Sequence, residues 1–74
     1  MPLKNLPYRE VKRKPEVAGF AVVSQKGSHV KFARTTDDDE IITAIVPKHN
    51  PVAIGTLRSI IRQAELTAEE FENL

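Results

Sequence analysis

Among the side chains in this sequence that could do chemistry, His29 is the best placed. It follows Gly27 and Ser28, so the backbone beside it can approach a ligand closely, with no glycine side chain in the way. Lys31 stands two residues further on, and Lys26 and Arg34 lie nearby. An imidazole exchanges protons near neutral pH, and among cations it suits proton transfer at a phosphodiester. The natural metal-free reaction of such a set is RNA cleavage. A base takes the 2′-OH proton, that oxygen attacks phosphorus, and an acid protonates the leaving 5′-oxygen. Lysine or arginine would stabilise the phosphoryl charge, and DNA, lacking the 2′-OH, would be spared.

The other candidates are weaker. His49, after Val46-Pro47-Lys48, reads either as a loop hydrogen bonder or as a second acid/base. Arg58 and Arg62 could extend a phosphate track or meet an acidic protein partner. Two histidines and no cysteine cannot close a zinc site, and an open one would need His29, His49 and a carboxylate together. The run Asp37-Asp38-Asp39-Glu40 lacks the ligand spacing and glycine of a calcium loop and reads as a solvated turn. With no glycine-rich phosphate loop either, neither a metal nor a small-molecule cofactor is expected.

Seventy-four residues suggest one small domain over 1–74, with no room for a two-domain enzyme. Absent cysteine excludes disulfide scaffolds and thiol nucleophiles. The opening Met1-Pro2-Leu3-Lys4-Asn5 lacks the apolar run of a signal peptide, and no stretch approaches the ~18 apolar residues of a membrane span. A soluble, cytoplasmic protein is therefore expected. The net charge of +1 conceals an asymmetry. Residues 1–34 hold eight Lys or Arg against two Glu, a balance of +6, whereas residues 35–74 hold three against eight acids, a balance of −5. Such a division fits one face that meets phosphates, or simply a segregated solvated surface.

Positioning His29 requires a particular arrangement of elements. Pro7 suits the first turn of a helix, and Tyr8, Val11, Pro15 and Ala18 would line its inner face. Pro15 should break or kink that helix, and Gly19 should end it as a C-cap. Phe20 to Gln25 reads as a strand, Lys26-Gly27 as a turn, and His29 to Ala33 as a second strand. Its period of two sends Val30 and Phe32 inward, and His29, Lys31 and Ala33 to the opposite face. Ile41 to Val46 makes a third strand that Pro47 closes. The stripe Leu57, Ile60, Ile61, Ala64 predicts an amphipathic helix. Thr67 and Glu70 form a capping box before a short last helix, with Leu66 and Phe71 as its hydrophobic staple. The class is α+β, in the order α-β-β-β-α-α. A three-stranded antiparallel sheet should carry helices on one face and leave the other, where His29 points, uncovered.

Several ordered motifs carry a resemblance to a known family. Gly19-Phe20, Lys26-Gly27-Ser28-His29, Val46-Pro47-x-His49, Gly55-Thr56-Leu57-Arg58-x-Ile60-x-Arg62-Gln63-Ala64 and Phe71 together resemble the HicA (YcfA-like) family of small toxins over nearly the whole chain. The resemblance implies a fold similar to double-stranded-RNA-binding domains, an mRNA interferase activity, mRNA as substrate and a HicB antitoxin as partner. It also implies that His29, in the Gly-Ser-His motif, is the catalytic histidine. Lys26, Gly27, Ser28 and Lys31 would then be its RNA-binding or electrostatic support. The rival readings are a non-catalytic RNA-binding module of the same fold, and a fragment that dimerises through its exposed sheet. Three departures from the family pattern stand out. Pro15 should shorten the first helix, Glu65 should leave the turn after the long helix without its usual left-handed residue, and Asp37 to Glu40 adds charge at one end of the sheet.

Overall fold

The computed structural model describes residues 3–74, so Met1 and Pro2 of the opening segment lie outside the described residues. The order is α1 (Tyr8–Val17), β1 (Ala21–Lys26), β2 (His29–Thr35), β3 (Ile41–Pro47), α2 (Ile54–Gln63) and α3 (Ala68–Glu72). The strands form an antiparallel sheet in the order β1-β2-β3. This is the α-β-β-β-α-α architecture read from the sequence.

The alternation in β2 and β3 explains the sheet. Val30 and Phe32 are buried, as are Ile42, Ala44 and Val46, while His29, Lys31, Ile41, Thr43 and Ile45 are exposed. The inward set packs with Val11, Phe20, Val52, Leu57, Ile60, Ile61, Ala64 and Phe71 into one core. The stripe expected on α2 supplies four members of that core. Helical cover is nevertheless incomplete. All six residues of β1 are exposed, Val22 and Val23 at 42% and 56%, so the cover extends over β2 and β3 only. Pro47 does not close β3 from outside but is its last residue, pairing with His29. A proline is tolerated there because β3 is an edge strand.

Two expectations fail at helix ends. Pro15 neither breaks nor shortens α1, which runs through it to Val17. Proline removes a single bond near the end of the helix, and its ring is fully buried in the core, which offsets that loss. Gly19 ends the helix as expected, with φ 98°, Gly19 N–H donating to Glu16 O at 3.1 Å and Phe20 N–H to Pro15 O at 2.9 Å. This is a Schellman motif. Glu65 repeats it after α2, which the sequence did not suggest. Its own φ is 59°, with Glu65 N–H on Arg62 O and Leu66 N–H on Ile61 O, both at 3.1 Å. A non-glycine residue has taken the left-handed place because Leu66 must turn back onto the core.

The segments preceding the two longer helices hold each other. Leu6 and Val52 exchange backbone hydrogen bonds of 3.2 and 2.7 Å. On either side, Asn50 Oδ1 accepts from Tyr8 N–H at 3.2 Å and Asn5 Oδ1 accepts from Ile54 N–H at 3.1 Å. Each asparagine thus satisfies the first backbone donor of the other segment's helix, the task of an N-cap performed across the fold. The capping box on α3 is present as read: Thr67 Oγ1 accepts from Glu70 N–H at 3.0 Å, and Glu70 Oε1 from Thr67 N–H at 2.8 Å.

Candidate functional site

His29 opens β2 directly after a two-residue hairpin loop, Gly27-Ser28. Gly27 has φ 60°, the left-handed value a tight hairpin asks of its first central residue. A Cβ at this glycine would meet nothing within 4 Å, so the turn is open to anything approaching from outside. Gln25 Nε2 donates to Gly27 O at 3.1 Å and steadies the turn.

The register fixes what surrounds His29. Lys26 pairs with it across the hairpin and Pro47 pairs with it from β3. Directly paired side chains share a face of the sheet about 5 Å apart. Lys31, two residues along, lies on that face between Ser24 and Ile45. The structure therefore brings His29, Lys26 and Lys31 together on the face without helical cover, all three exposed. Arg34 does not join them. It shares the parity of Val30 and Phe32, and its guanidinium lies 5.5 Å from the centre of the Phe20 ring on the helical side.

The loop after β3 reaches the same end of the sheet. Lys48 N–H donates to Ser28 O at 2.6 Å, so residues 48–50 are tied to the turn that presents His29. Exposed His49 lies in this tethered stretch, with its N–H on Pro47 O at 2.9 Å. Lys48 was not among the residues singled out from the sequence. The available signal was its position beside His49, since nothing local indicates a tether twenty residues away.

The basic first helix is a different matter. Lys12 pairs with Glu16 at 3.2 Å, and Arg13 grips Glu10 through Nε and Nη2 at 2.9 and 3.0 Å. That pairing holds the Glu10 carboxyl below its ordinary range, chiefly through the hydrogen bond from Arg13. Lys14 is only 8% exposed and donates to the main-chain oxygens of Phe71, Glu72 and Leu74, each at 3.2 Å. Among the described residues of α1, Arg9 is the cation that makes no such bond. Much of the +6 balance of the N-terminal half is thus spent on holding the fold.

The acidic run at Asp37 to Glu40 is an exposed turn organised by Thr36, whose Oγ1 accepts from Asp38 and Glu40 N–H groups at 3.3 and 3.1 Å. Among the described residues, no three His, Asp or Glu side chains converge as metal ligands would. No helix among them is long and apolar enough to cross a membrane. The arrangement at the hairpin end is an exposed imidazole flanked by two ammonium groups, a set able to bind phosphate and exchange a proton with a neighbouring hydroxyl.

Comparison with known families matches residues 8–66, from the first residue of α1 through the turn after α2, to the family described as HicA toxin of bacterial toxin–antitoxin. No curated protein matches the chain.

Proposed function

The chain belongs to the HicA toxin family of bacterial toxin–antitoxin systems, and on that premise we propose that it is an endoribonuclease acting on mRNA in the cytoplasm, with His29 as its general acid/base. The observation that carries this reading is the register of the hairpin. It sets an exposed imidazole beside Lys26 and one step along the strand from Lys31, on a face open to a polymer.

In the proposed reaction neutral His29 takes the 2′-OH proton of a bound ribose. The 2′-oxygen attacks the adjacent phosphorus, the bond to the 5′-oxygen breaks, and a second group returns a proton to that leaving oxygen. The products are a 2′,3′-cyclic phosphate and a 5′-hydroxyl. Lys26 and Lys31 stabilise the charge that builds on the non-bridging oxygens. The open backbone at Gly27 and Ser28 lets the strand lie close. His49, Lys31 or a water supplies the second proton. His49 gains support from the Lys48–Ser28 tether, which keeps its loop at this end of the sheet. A HicB-type antitoxin is the proposed partner, and the exposed apolar Ile41 and Ile45, on the same outward face as Lys31, suit a protein that covers the sheet.

Expression and cleavage test the proposal. The parent chain should arrest growth and cut mRNA, whereas His29→Ala should stay folded, bind RNA and lose cleavage by ~100-fold or more. Activity should persist in a metal chelator. Equal toxicity of His29→Ala would remove the catalytic assignment. Binding by the parent chain without any cleavage would leave the non-catalytic RNA-binding module in its place.

A further inference from the structure

A groove beside this face has no role in the chemistry above. It runs between the start of α1 and the loop after β3, encloses about 550 Å³, and is lined by Pro7, Tyr8, Arg9, Lys48 and Asn50. Both charged residues in the lining are cations, and no carboxylate shares it. Arg9 is the α1 cation whose side chain makes neither a hydrogen bond nor an ion pair among the described residues, and Lys48 is exposed with only its backbone engaged. Tyr8 is half-buried, its ring packed against the edge of the core, which makes it a firm aromatic wall. The two sides cannot drift apart, because Asn50 Oδ1 holds Tyr8 N–H. Nor can the groove drift from His29, because Lys48 N–H is bound to Ser28 O.

We propose that this groove holds one unpaired nucleotide of the RNA strand, flanking the linkage presented to His29. The inference rests on the endoribonuclease reading and adds to it a subsite and a substrate class. Arg9 and Lys48 contact the phosphates on either side of it, one each, and the base stacks on Tyr8. Two cations with an aromatic wall in a concavity are the elements of single-strand binding. A duplex would offer its phosphates but keep its bases stacked inside, leaving Tyr8 without a partner. The substrate is therefore a single-stranded segment, and the fixed path from the groove through Lys48 and Ser28 to His29 sets where along that segment the cut falls.

Binding is measured by fluorescence anisotropy with a labelled single-stranded RNA oligonucleotide in the His29→Ala background, and cleavage in the His29 background. Each phosphate contact contributes about 0.7 to the slope of log affinity against log salt, or about fivefold in affinity at 0.1 M relative to 1 M. Arg9→Gln with Lys48→Gln should therefore weaken binding about 25-fold at 0.1 M and lower the slope by about 1.4. Tyr8→Leu, which keeps an apolar side chain against the core, should weaken single-strand binding about tenfold with the slope unchanged, and leave duplex binding as it was. Lys12→Gln with Arg13→Gln removes the same two units of charge from outside the groove and serves as the reference. The subsite is overturned if the double groove variant binds like Lys12→Gln with Arg13→Gln, or if Tyr8→Leu weakens duplex and single strand alike. The two proposals fail separately. Cleavage by His29→Ala at the parent rate with groove variants still defective removes the catalysis alone, and a dead His29→Ala with groove variants binding normally removes the groove alone.

Discussion

Two regions of this small protein are rich in cations, and they use their charge in opposite ways. On α1, Lys12 and Arg13 are matched to Glu16 and Glu10 a turn away, and Lys14 is turned inward to the oxygens that end α3. At the hairpin end of the sheet, Lys26 and Lys31 flank His29, the loop carrying Lys48 is tied to the same turn, and no carboxylate is paired with any of these lysines among the described residues. The sequence places both groups in a basic half, where a charge count treats them as equals. Arg9 at the groove apart, only the second group presents an unmatched field to solvent. Potential that attracts a phosphate depends on what remains after the fold has satisfied itself.

Lys14 and His29, the leading residues of the two regions, should respond to substitution in opposite ways. Lys14→Met keeps the length of the side chain but withdraws the donor from three main-chain oxygens in a part-buried place. It should cost about 2–3 kcal/mol in chemical denaturation, and RNA cleavage by the molecules still folded should be unaltered. His29→Ala should do the reverse, with stability within about 0.5 kcal/mol of the parent and cleavage lost. If Lys14→Met spares stability but weakens RNA binding, α1 presents its charge after all and the division drawn here is wrong.

A step smaller, Lys26→Gln and Lys31→Gln should each slow cleavage roughly tenfold while leaving the denaturation midpoint in place. These ammonium groups are exposed and work against water, which limits each of them. A larger loss at Lys31 than at Lys26 would point to Lys31 as the donor of the second proton, and the pH–rate profile of Lys31→Gln should then lose one limb.

Legibility in the sequence follows the range of the interaction concerned. Alternation in His29-Val30-Lys31-Phe32 and the stripe Leu57, Ile60, Ile61, Ala64 repeat along the chain, so strand face and helix face could be read before any coordinates. The turn read at Lys26-Gly27 is likewise declared locally, though one residue early: Lys26 ends β1 and the loop is Gly27-Ser28. The features that escaped depend on one partner far away. Lys14 meets residues 57 to 60 positions distant, and Asn50 caps a helix 42 residues earlier. Nothing near Lys14 distinguishes it from Lys12. The groove walls escaped for the same reason, since Arg9 and Lys48 are brought to one groove by the Leu6–Val52 pairing and the Asn50–Tyr8 bond. Pro15 and Glu65 misled differently: each has an unfavourable local preference that tertiary packing overrides.

The Glu65 override can be measured. Glycine at a left-handed C-cap relieves the steric conflict of a side chain but loosens the unfolded chain. Glu65→Gly should therefore gain stability by only about 0.5–1 kcal/mol, with no change in cleavage. Glu65→Ala keeps the conflict and should gain nothing. A gain of equal size in both variants would mean that the carboxylate, not the backbone angle, is the source of the effect.

The smallest effect lies in the charge pairs of α1 and is best seen through pH. Arg13 depresses the pKa of Glu10 below its ordinary value of 4.5 in the folded chain. A depressed folded value means that the pair stabilises the protein at pH above that ordinary value, and that the contribution fades as acid protonates the folded carboxyl. Melting curves of the parent and Glu10→Gln should differ slightly at neutral pH, converge as acid protonates the folded Glu10 carboxyl, and also converge in high salt, because the pair is exposed and screened. A gap that persists into acid would assign the role of Glu10 to packing rather than charge. Arg13 would then be held by Leu74 O alone, at 3.2 Å, and α1 would carry more unspent positive charge than the comparison allows.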